Sequence, residues 1–118
     1  MQLSLLSVVD HYPTLKRSVP EFYEQLLGQI VLAEELGYQA AFVAEHHFHE
    51  YGAITNPAVF LAAAAQRTRR IRLGPSVSIL PFHDPRTVAE DYITLDILSQ
   101  GRLILGLGSG YLKHEFDG

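Results

Sequence analysis

The sequence predicts an α/β protein in which a parallel β-sheet is covered by helices. Apolar segments of strand length alternate along the chain with segments of helical periodicity. The strand segments are apolar throughout, which is typical of parallel strands buried on both faces. Polar, histidine-rich and glycine-rich stretches all follow strands. A doubly wound sheet and a β/α barrel both fit this order of elements, so the pattern leaves the architecture open.

The first strand is predicted at residues 3–9, an apolar run that ends in a polar loop with a proline. A helix follows this loop. Ser18 and Glu21 have the spacing of a capping box, and Pro20 lies in the first turn of the helix. Apolar residues recur on one helical face until Gly37, where we expect the helix to end.

The second strand is predicted at residues 40–44 and runs directly into a stretch that contains three histidines, residues 45–49. Asn56 followed by Pro57 is typical of a helix N-cap and first helical position. This pair opens an alanine-rich helix that we expect to continue to about Arg67. The segment therefore predicts a second strand, a polar loop and a second helix.

The third strand is predicted within residues 71–80. Asp84 and Pro85 repeat the pattern of an N-cap followed by proline, and the helix that they open is expected to end at Gly101. Residues 103–105 are predicted as the fourth strand. Residues 1–118 thus form one predicted domain.

Composition excludes several classes of protein. With 118 residues, 47% hydrophobic and 19% charged, the chain has the balance of a soluble globular domain. The absence of cysteine excludes disulfide frameworks, thiolate zinc sites and cysteine nucleophiles. A net charge of −4 argues against a nucleic-acid surface. The longest apolar run, residues 58–65, is too short to span a membrane, so a cytoplasmic protein is expected.

A set of short motifs carries a resemblance to a known family. They are Gly37-Tyr38, Glu45-His46-His47-Phe48, Glu50-Tyr51-Gly52, Asn56-Pro57, Leu80-Pro81, Glu90-Asp91, Leu95-Asp96 and Ser99-Gln100-Gly101-Arg102. In order and spacing this set resembles the bacterial-luciferase-like flavin monooxygenases over essentially the whole chain. The resemblance implies the (β/α)8 TIM-barrel fold, present here as the first four β/α units, a half barrel with parallel strands.

The resemblance implies that His46 is the catalytic histidine that helps a reduced flavin to react with oxygen. An imidazole, with an ordinary pKa of about 6.5, can move protons near neutral pH. Glu45 is expected either to orient this imidazole or to lie near the flavin ring, or else to bind backbone amides at the strand end. His46 itself could instead be a structural residue of the turn.

The resemblance also implies cofactor contacts after the third and fourth strands. A cis peptide bond between Ser76 and Val77 is expected to form a bulge against which the flavin ring rests, although an ordinary trans strand is the general rule. Gly108 and Ser109 lie in a glycine-rich stretch that could approach a ligand or bind an anion. An ordinary glycine-rich turn is the alternative for this stretch.

No metal site is predicted. The histidines at positions 46, 47 and 49 lie on a strand end or loop, where neighbouring side chains point apart, so they do not easily converge on one ion. Asp10, His11 and His83 also follow strands, and we interpret them as cap and loop residues.

The implied function is that of a monooxygenase that uses reduced FMN and O2 to oxidise a small organic substrate, with a separate reductase supplying the reduced flavin. Two alternatives remain at this point. One is a deazaflavin-dependent oxidoreductase of the same fold, and the other is a non-catalytic half-barrel scaffold or dimerisation module. Open sheet edges and the alanine-rich face at residues 58–65 predict a homodimer or higher homo-oligomer.

Overall fold

The structure is a computed structural model that describes residues 1–49 and 52–118. Glu50 and Tyr51, part of one motif of the resemblance, lie outside the described residues. The elements, in chain order, are β1 (Ser4–Ser7), α1 (Val19–Glu35), β2 (Ala40–Val43), α2 (Pro57–Arg67), β3 (Arg72–Pro75), β4 (Ser78–Ile79), α3 (Pro85–Ser99), β5 (Leu107–Gly108) and α4 (Lys113–Asp117). Short 3-10 turns cover Pro13–Leu15 and Leu80–Phe82.

The sheet is parallel and follows the chain order. β1 pairs with β2 and β2 pairs with β3, so that Ser4, Ala40 and Arg72 lie side by side. Further along, β4 pairs in parallel with β5, with Ser78 opposite Leu107. The carboxyl ends of all these strands therefore lie on the same side of the molecule.

The helix boundaries follow from the predicted caps. Ser18 forms the complete capping box with Glu21, and the side chains of Asn56 and Asp84 accept hydrogen bonds from backbone N–H groups of the first turns of α2 and α3. Gly37 ends α1 with a φ of 83°. At this value the N–H of Tyr38 reaches the carbonyl of Ala33, and a residue with a side chain adopts such a φ with difficulty.

The three long helices pack on one face of the sheet. Phe22 and Ile30 of α1, Leu61 of α2 and Leu95 of α3 join Val43 of β2 in a single buried cluster. On the opposite face, Leu6 of β1 remains 55% exposed. A doubly wound sheet would have helices on both faces, whereas helices on one side of parallel strands are the arrangement of a barrel wall. The structure thus resolves the choice that the sequence pattern left open.

The predicted fourth strand at residues 103–105 is wrong in its bounds. Leu103 forms only an isolated parallel bridge with Leu73, and the regular pairing lies later, at β5. The third strand is interrupted at Ser76 and Val77. The segment that pairs with it therefore does so in two separate places, at Leu103 and at β5. The N–H of Ser78 donates to the carbonyl of Gly106, which begins the second place of pairing.

Two charged side chains tie the chain together where helices meet strands. The carboxylate of Glu34 accepts hydrogen bonds from the backbone N–H groups of Arg69, Arg70 and Ile71 at 2.6 to 3.0 Å. The guanidinium of Arg102 donates to the Ala65, Thr68, Ile71 and Ser99 carbonyls and to the Thr68 hydroxyl at 2.7 to 3.3 Å. The arginine-rich turn after α2 is therefore occupied by contacts within the fold.

Among the residues described, no helix combines the length and the apolar character needed to cross a bilayer.

Candidate functional site

A cavity of about 440 Å³ opens at the carboxyl ends of the strands. The six residues predicted for catalysis and cofactor binding all line it, namely Glu45, His46, Ser76, Val77, Gly108 and Ser109. They come from three segments, which are the loop after β2, the interruption between β3 and β4, and the end of β5 with the residue that follows it. The parallel topology brings them together, because each loop leaves the sheet at the same end.

His46 is held by a carboxylate that is distant in the sequence. Its Nδ1 lies 3.0 Å from Oε1 of Glu115, whose side chain is 1% exposed. The same oxygen accepts the backbone N–H of His47 at 3.0 Å. A carboxylate only accepts hydrogen bonds, so Nδ1 of His46 carries the proton. Nε2 is then the ring nitrogen that remains for proton transfer in the cavities that His46 lines.

Burial and hydrogen bonding act in opposite directions on the pKa of Glu115. Burial raises it, but the hydrogen bonds from the His47 backbone and from the His46 side chain outweigh burial, and the pKa lies below its usual value. Glu115 is therefore ionised under neutral conditions and supplies a buried negative charge beside the imidazole.

Glu45 does not orient His46. Its buried carboxylate accepts hydrogen bonds from Nε2 of His47 at 2.7 Å and from Nε2 of His83 at 2.5 Å, both at Oε1. The other oxygen, Oε2, accepts the backbone N–H of Ile79 at 3.1 Å. Glu45 thus joins the loop after β2 to β4 and the loop before α3. Of the three roles considered for this residue, contact with a backbone amide at a strand end is the one that these contacts include, and a place near the flavin ring stays a prediction.

The peptide bond between Ser76 and Val77 is cis, as predicted. Val77 packs against the last strand pair so closely that a Cβ at Gly108 would lie 2.4 Å from its Cγ2 atom. A Cβ at Gly106 would likewise lie 2.5 Å from the Pro75 carbonyl oxygen. These glycines are therefore required for packing of the bulge in addition to any ligand contact. Ser109 is exposed at the rim of the cavity.

A second cavity of about 380 Å³ adjoins the first and shares Val8, His46 and Tyr111 with it. His49 and His114 line it with their rings 4.9 Å apart. The segment at residues 111–115 thus contributes to both cavities. A Cβ at Gly52 would lie 2.2 Å from Cβ of His46, so this glycine allows the chain to pass directly behind the imidazole.

Sequence reasoning missed two contacts of the site. Glu115 carries no local signal in the sequence, because it is a lone acidic residue 69 positions from His46. His83, which the sequence predicts as a cap or loop residue, binds the Glu45 carboxylate. His11, given the same interpretation, is buried and bonds through Nε2 to the Arg17 carbonyl at 2.7 Å, so it is a structural residue of its loop.

Parallel β/α units with their helices on one face and polar loops around a cavity at the carboxyl ends of the strands define the wall of a (β/α)8-barrel enzyme. The family model described as luciferase-like monooxygenase matches residues 1–118. The chain belongs to this family.

Individual relatives agree with this assignment. The 4-hydroxyprotoasukamycin monooxygenase of Streptomyces nodosus subsp. asukaensis is 48% identical over 82 residues, which are 70% of this chain and 22% of that protein. The crystal structure of monooxygenase RslO1 from Streptomyces bottropensis is 37% identical with a TM-score of 0.92, covering 99% of this chain and 36% of that one.

The names of two further relatives include a cofactor. The oxygenating constituent of 3,6-diketocamphane monooxygenase from Pseudomonas putida, solved in complex with FMN, is 27% identical with a TM-score of 0.89, covering 97% of this chain and 31% of that one. An F420-dependent glucose-6-phosphate dehydrogenase of Intrasporangium calvum is 38% identical over 95 residues, 77% of this chain and 28% of that protein. The family is therefore one of flavin-dependent oxidoreductases. The chain spans about a third or less of the length of these relatives.

Proposed function

We propose that this chain forms the flavin-facing part of an FMN-dependent monooxygenase. The observation that carries the proposal is the convergence of Glu45, His46, Ser76, Val77 and Gly108 on one cavity, formed by segments far apart in the sequence. When bound, reduced FMN supplies the electrons that activate O2 for transfer to a small organic substrate. A separate reductase is the proposed source of the reduced flavin.

The cavity has the size of a small-molecule site. Its volume of about 440 Å³ falls within the roughly 300–1,000 Å³ that is usual for small-molecule sites. The bulge at Ser76 and Val77 offers a backbone surface on one side, and Gly108 lets the last strand lie directly against the Val77 side chain. Exposed Ser109 supplies a hydroxyl at the rim for a polar group of the cofactor.

His46 is the proposed proton-transfer group. Its Nδ1–H donates to Glu115, and this contact fixes the orientation of the ring and the tautomer. Nε2 is then free to accept or donate a proton at the reacting centre. Glu115 stabilises the imidazolium that forms when Nε2 takes up a proton, because its negative charge lies 3.0 Å from the ring.

Equilibrium titration of the chain with FMN, followed by flavin fluorescence, tests this proposal. We expect saturable binding, and we expect Ser109→Phe, which fills the rim of the cavity, to weaken it by at least about tenfold. Gln39→Phe is the matched control, because this exposed residue precedes β2 at the opposite end of the strands. Binding that both variants retain, or no binding at all to the parent chain, contradicts the proposal.

A deazaflavin is the second candidate for the cofactor. The relatives that are named F420-dependent glucose-6-phosphate dehydrogenases support it, since they are 38% and 36% identical to this chain over 95 and 94 residues. Parallel titrations with FMN and F420 separate the two candidates. A clear preference for F420 would redirect the proposed reaction from oxygen activation to hydride transfer.

We further propose that the chain self-associates through the outer surfaces of α2 and α3. The alanine-rich face expected for this contact lies mostly in the core of the chain itself, since Ala58, Ala64 and Ala65 are buried. Val59 and Ile97 are instead 67% and 72% exposed on the same pair of helices. Sedimentation of the chain and of Ile97→Glu tests this association, which the charged variant is expected to reduce. A monomeric parent chain contradicts it.

A further inference from the structure

The side chains of Glu45, His47 and His83 form a cluster to which the proposed proton transfer by His46 assigns no role. One ligand atom of each lies within 4.8 Å of the other two. The two Nε2 atoms approach the same carboxylate oxygen, Oε1, from different segments of the chain, one on the loop after β2 and one on the loop before α3. Two imidazole nitrogens and one carboxylate oxygen around one point are the protein ligands of His2Glu zinc sites.

We propose that Glu45, His47 and His83 bind one divalent transition-metal ion, with Zn²⁺ as the reference metal. Zinc accepts imidazole and carboxylate ligands together and adopts tetrahedral coordination, whereas Mg²⁺ and Ca²⁺ prefer oxygen ligands alone. With three protein ligands, solvent fills the fourth position. The partly exposed side chains of His47 and His83 leave a path by which the ion and this water enter.

The cluster needs only a small rearrangement to accept the ion. With metal–ligand bonds of about 2.0–2.1 Å, tetrahedral geometry separates neighbouring ligand atoms by about 3.3 Å. The nitrogens now lie 2.7 and 2.5 Å from Oε1, so each must retreat by less than about 1 Å, a shift that side-chain rotation allows. Both imidazoles then coordinate through Nε2 in the tautomer that carries its proton on Nδ1.

Neighbouring contacts hold the Glu45 carboxylate in place and leave His46 outside this cluster. The N–H of Ile79 donates to Oε2 of Glu45, which keeps Oε1 directed at the two imidazoles. His46, the neighbour of both Glu45 and His47, bonds instead to Glu115 and takes no part in the cluster. Glu45 also lines the flavin cavity, whereas His47 and His83 do not, so loss of Zn²⁺ binding in His83→Ala and loss of FMN binding in Ser109→Phe are separate outcomes, and either can occur without the other.

Calorimetric titration of the chelator-treated chain with Zn²⁺ tests the proposal, and Co²⁺ serves as a spectroscopic probe of tetrahedral coordination. We expect one equivalent to bind. His83→Ala should weaken binding by more than the roughly 10–100-fold that follows loss of an outer-shell partner, because it removes a direct ligand. His114→Ala is the matched control, since it removes an exposed imidazole that lies outside the cluster.

A second variant keeps the test decisive if one of the substitutions perturbs the fold. Glu45→Gln preserves the shape of the buried side chain and removes its charge, and circular dichroism checks that it folds. We expect it to lose the tetrahedral Co²⁺ absorption. No binding by the parent chain, or equal Zn²⁺ affinity in the parent, His83→Ala and His114→Ala, overturns the proposal and leaves a cluster held by hydrogen bonds alone.

Discussion

Replacement of Glu115 by glutamine removes the negative charge beside His46 and retains the shape of the side chain. Both donors reach the same oxygen, Oε1, which an amide oxygen can replace as a neutral acceptor. A hydrogen bond to a charged group contributes about 1.5–3 kcal/mol and a neutral one about 0.5–1.5 kcal/mol. The loss is thus about 1 kcal/mol for each bond, and Glu115→Gln should lower the free energy of unfolding by about 2 kcal/mol.

The effect should depend on pH in one direction. The pKa of Glu115 is lowered from 4.5 in the folded chain, so its stabilising contribution is complete above pH 4.5 and is lost as the pH falls through the folded pKa. The glutamine variant lacks this titration. The difference in stability between the parent and Glu115→Gln is therefore largest near neutral pH and shrinks below pH 4.5.

Urea unfolding followed by circular dichroism measures these quantities. With an m-value of about 2 kcal/mol/M, a loss of about 2 kcal/mol lowers the midpoint by about 1 M. A double-mutant cycle with His46→Ala should return a coupling of about 1 kcal/mol, since these residues share one of the two bonds. Glu90→Gln, at an exposed position of α3, is the control and should leave the midpoint unchanged. Equal midpoints for the parent and Glu115→Gln at neutral pH would refute the reasoning.

Three other predictions concern the fold, and urea unfolding checks each of them. Glu34→Gln should cost about 1 kcal/mol, because the carboxylate that accepts three backbone N–H groups is partly exposed, and this cost should shrink as the pH falls through its lowered pKa. Arg102→Lys should cost about 2 kcal/mol, since a single ammonium cannot reproduce the guanidinium contacts with four carbonyls. Gly74→Ala should destabilise by more than about 2 kcal/mol, because its Cβ would lie 2.0 Å from the Ile104 carbonyl oxygen, whereas Gly28→Ala, with open space on α1, should stabilise by about 0.5–1 kcal/mol. The opposite order of the two glycine variants would contradict the last prediction.

The helices and the first two strands could be predicted from the sequence because their signals are local. Ser18, Asn56 and Asp84 cap helices at the predicted positions, since each cap requires only residues within one turn. The fourth strand could not be located, because its pairing depends on where the third strand is interrupted. That interruption at Ser76 came from the resemblance and not from any periodicity of the sequence.

The candidate site likewise divides into residues that could be predicted and partners that could not. The resemblance named His46 and the backbone at Ser76 and Val77, and the fold brings them to one cavity. The hydrogen-bond partners of His46 and Glu45 could not be predicted, because Glu115 and His83 reach the site through tertiary contacts. Adjacent residues of one loop thus have their specific partners in distant parts of the chain.

The side chains of the consecutive residues His46 and His47 bond to different carboxylates, those of Glu115 and Glu45. The Glu115 oxygen that accepts the hydrogen bond from the His46 ring also accepts the backbone N–H of His47. This has a practical consequence for anyone who engineers the protein. Every residue except proline keeps the backbone N–H that Glu115 accepts at position 47, so libraries at this position can change the Glu45 network while the contact that anchors the His46 ring is retained.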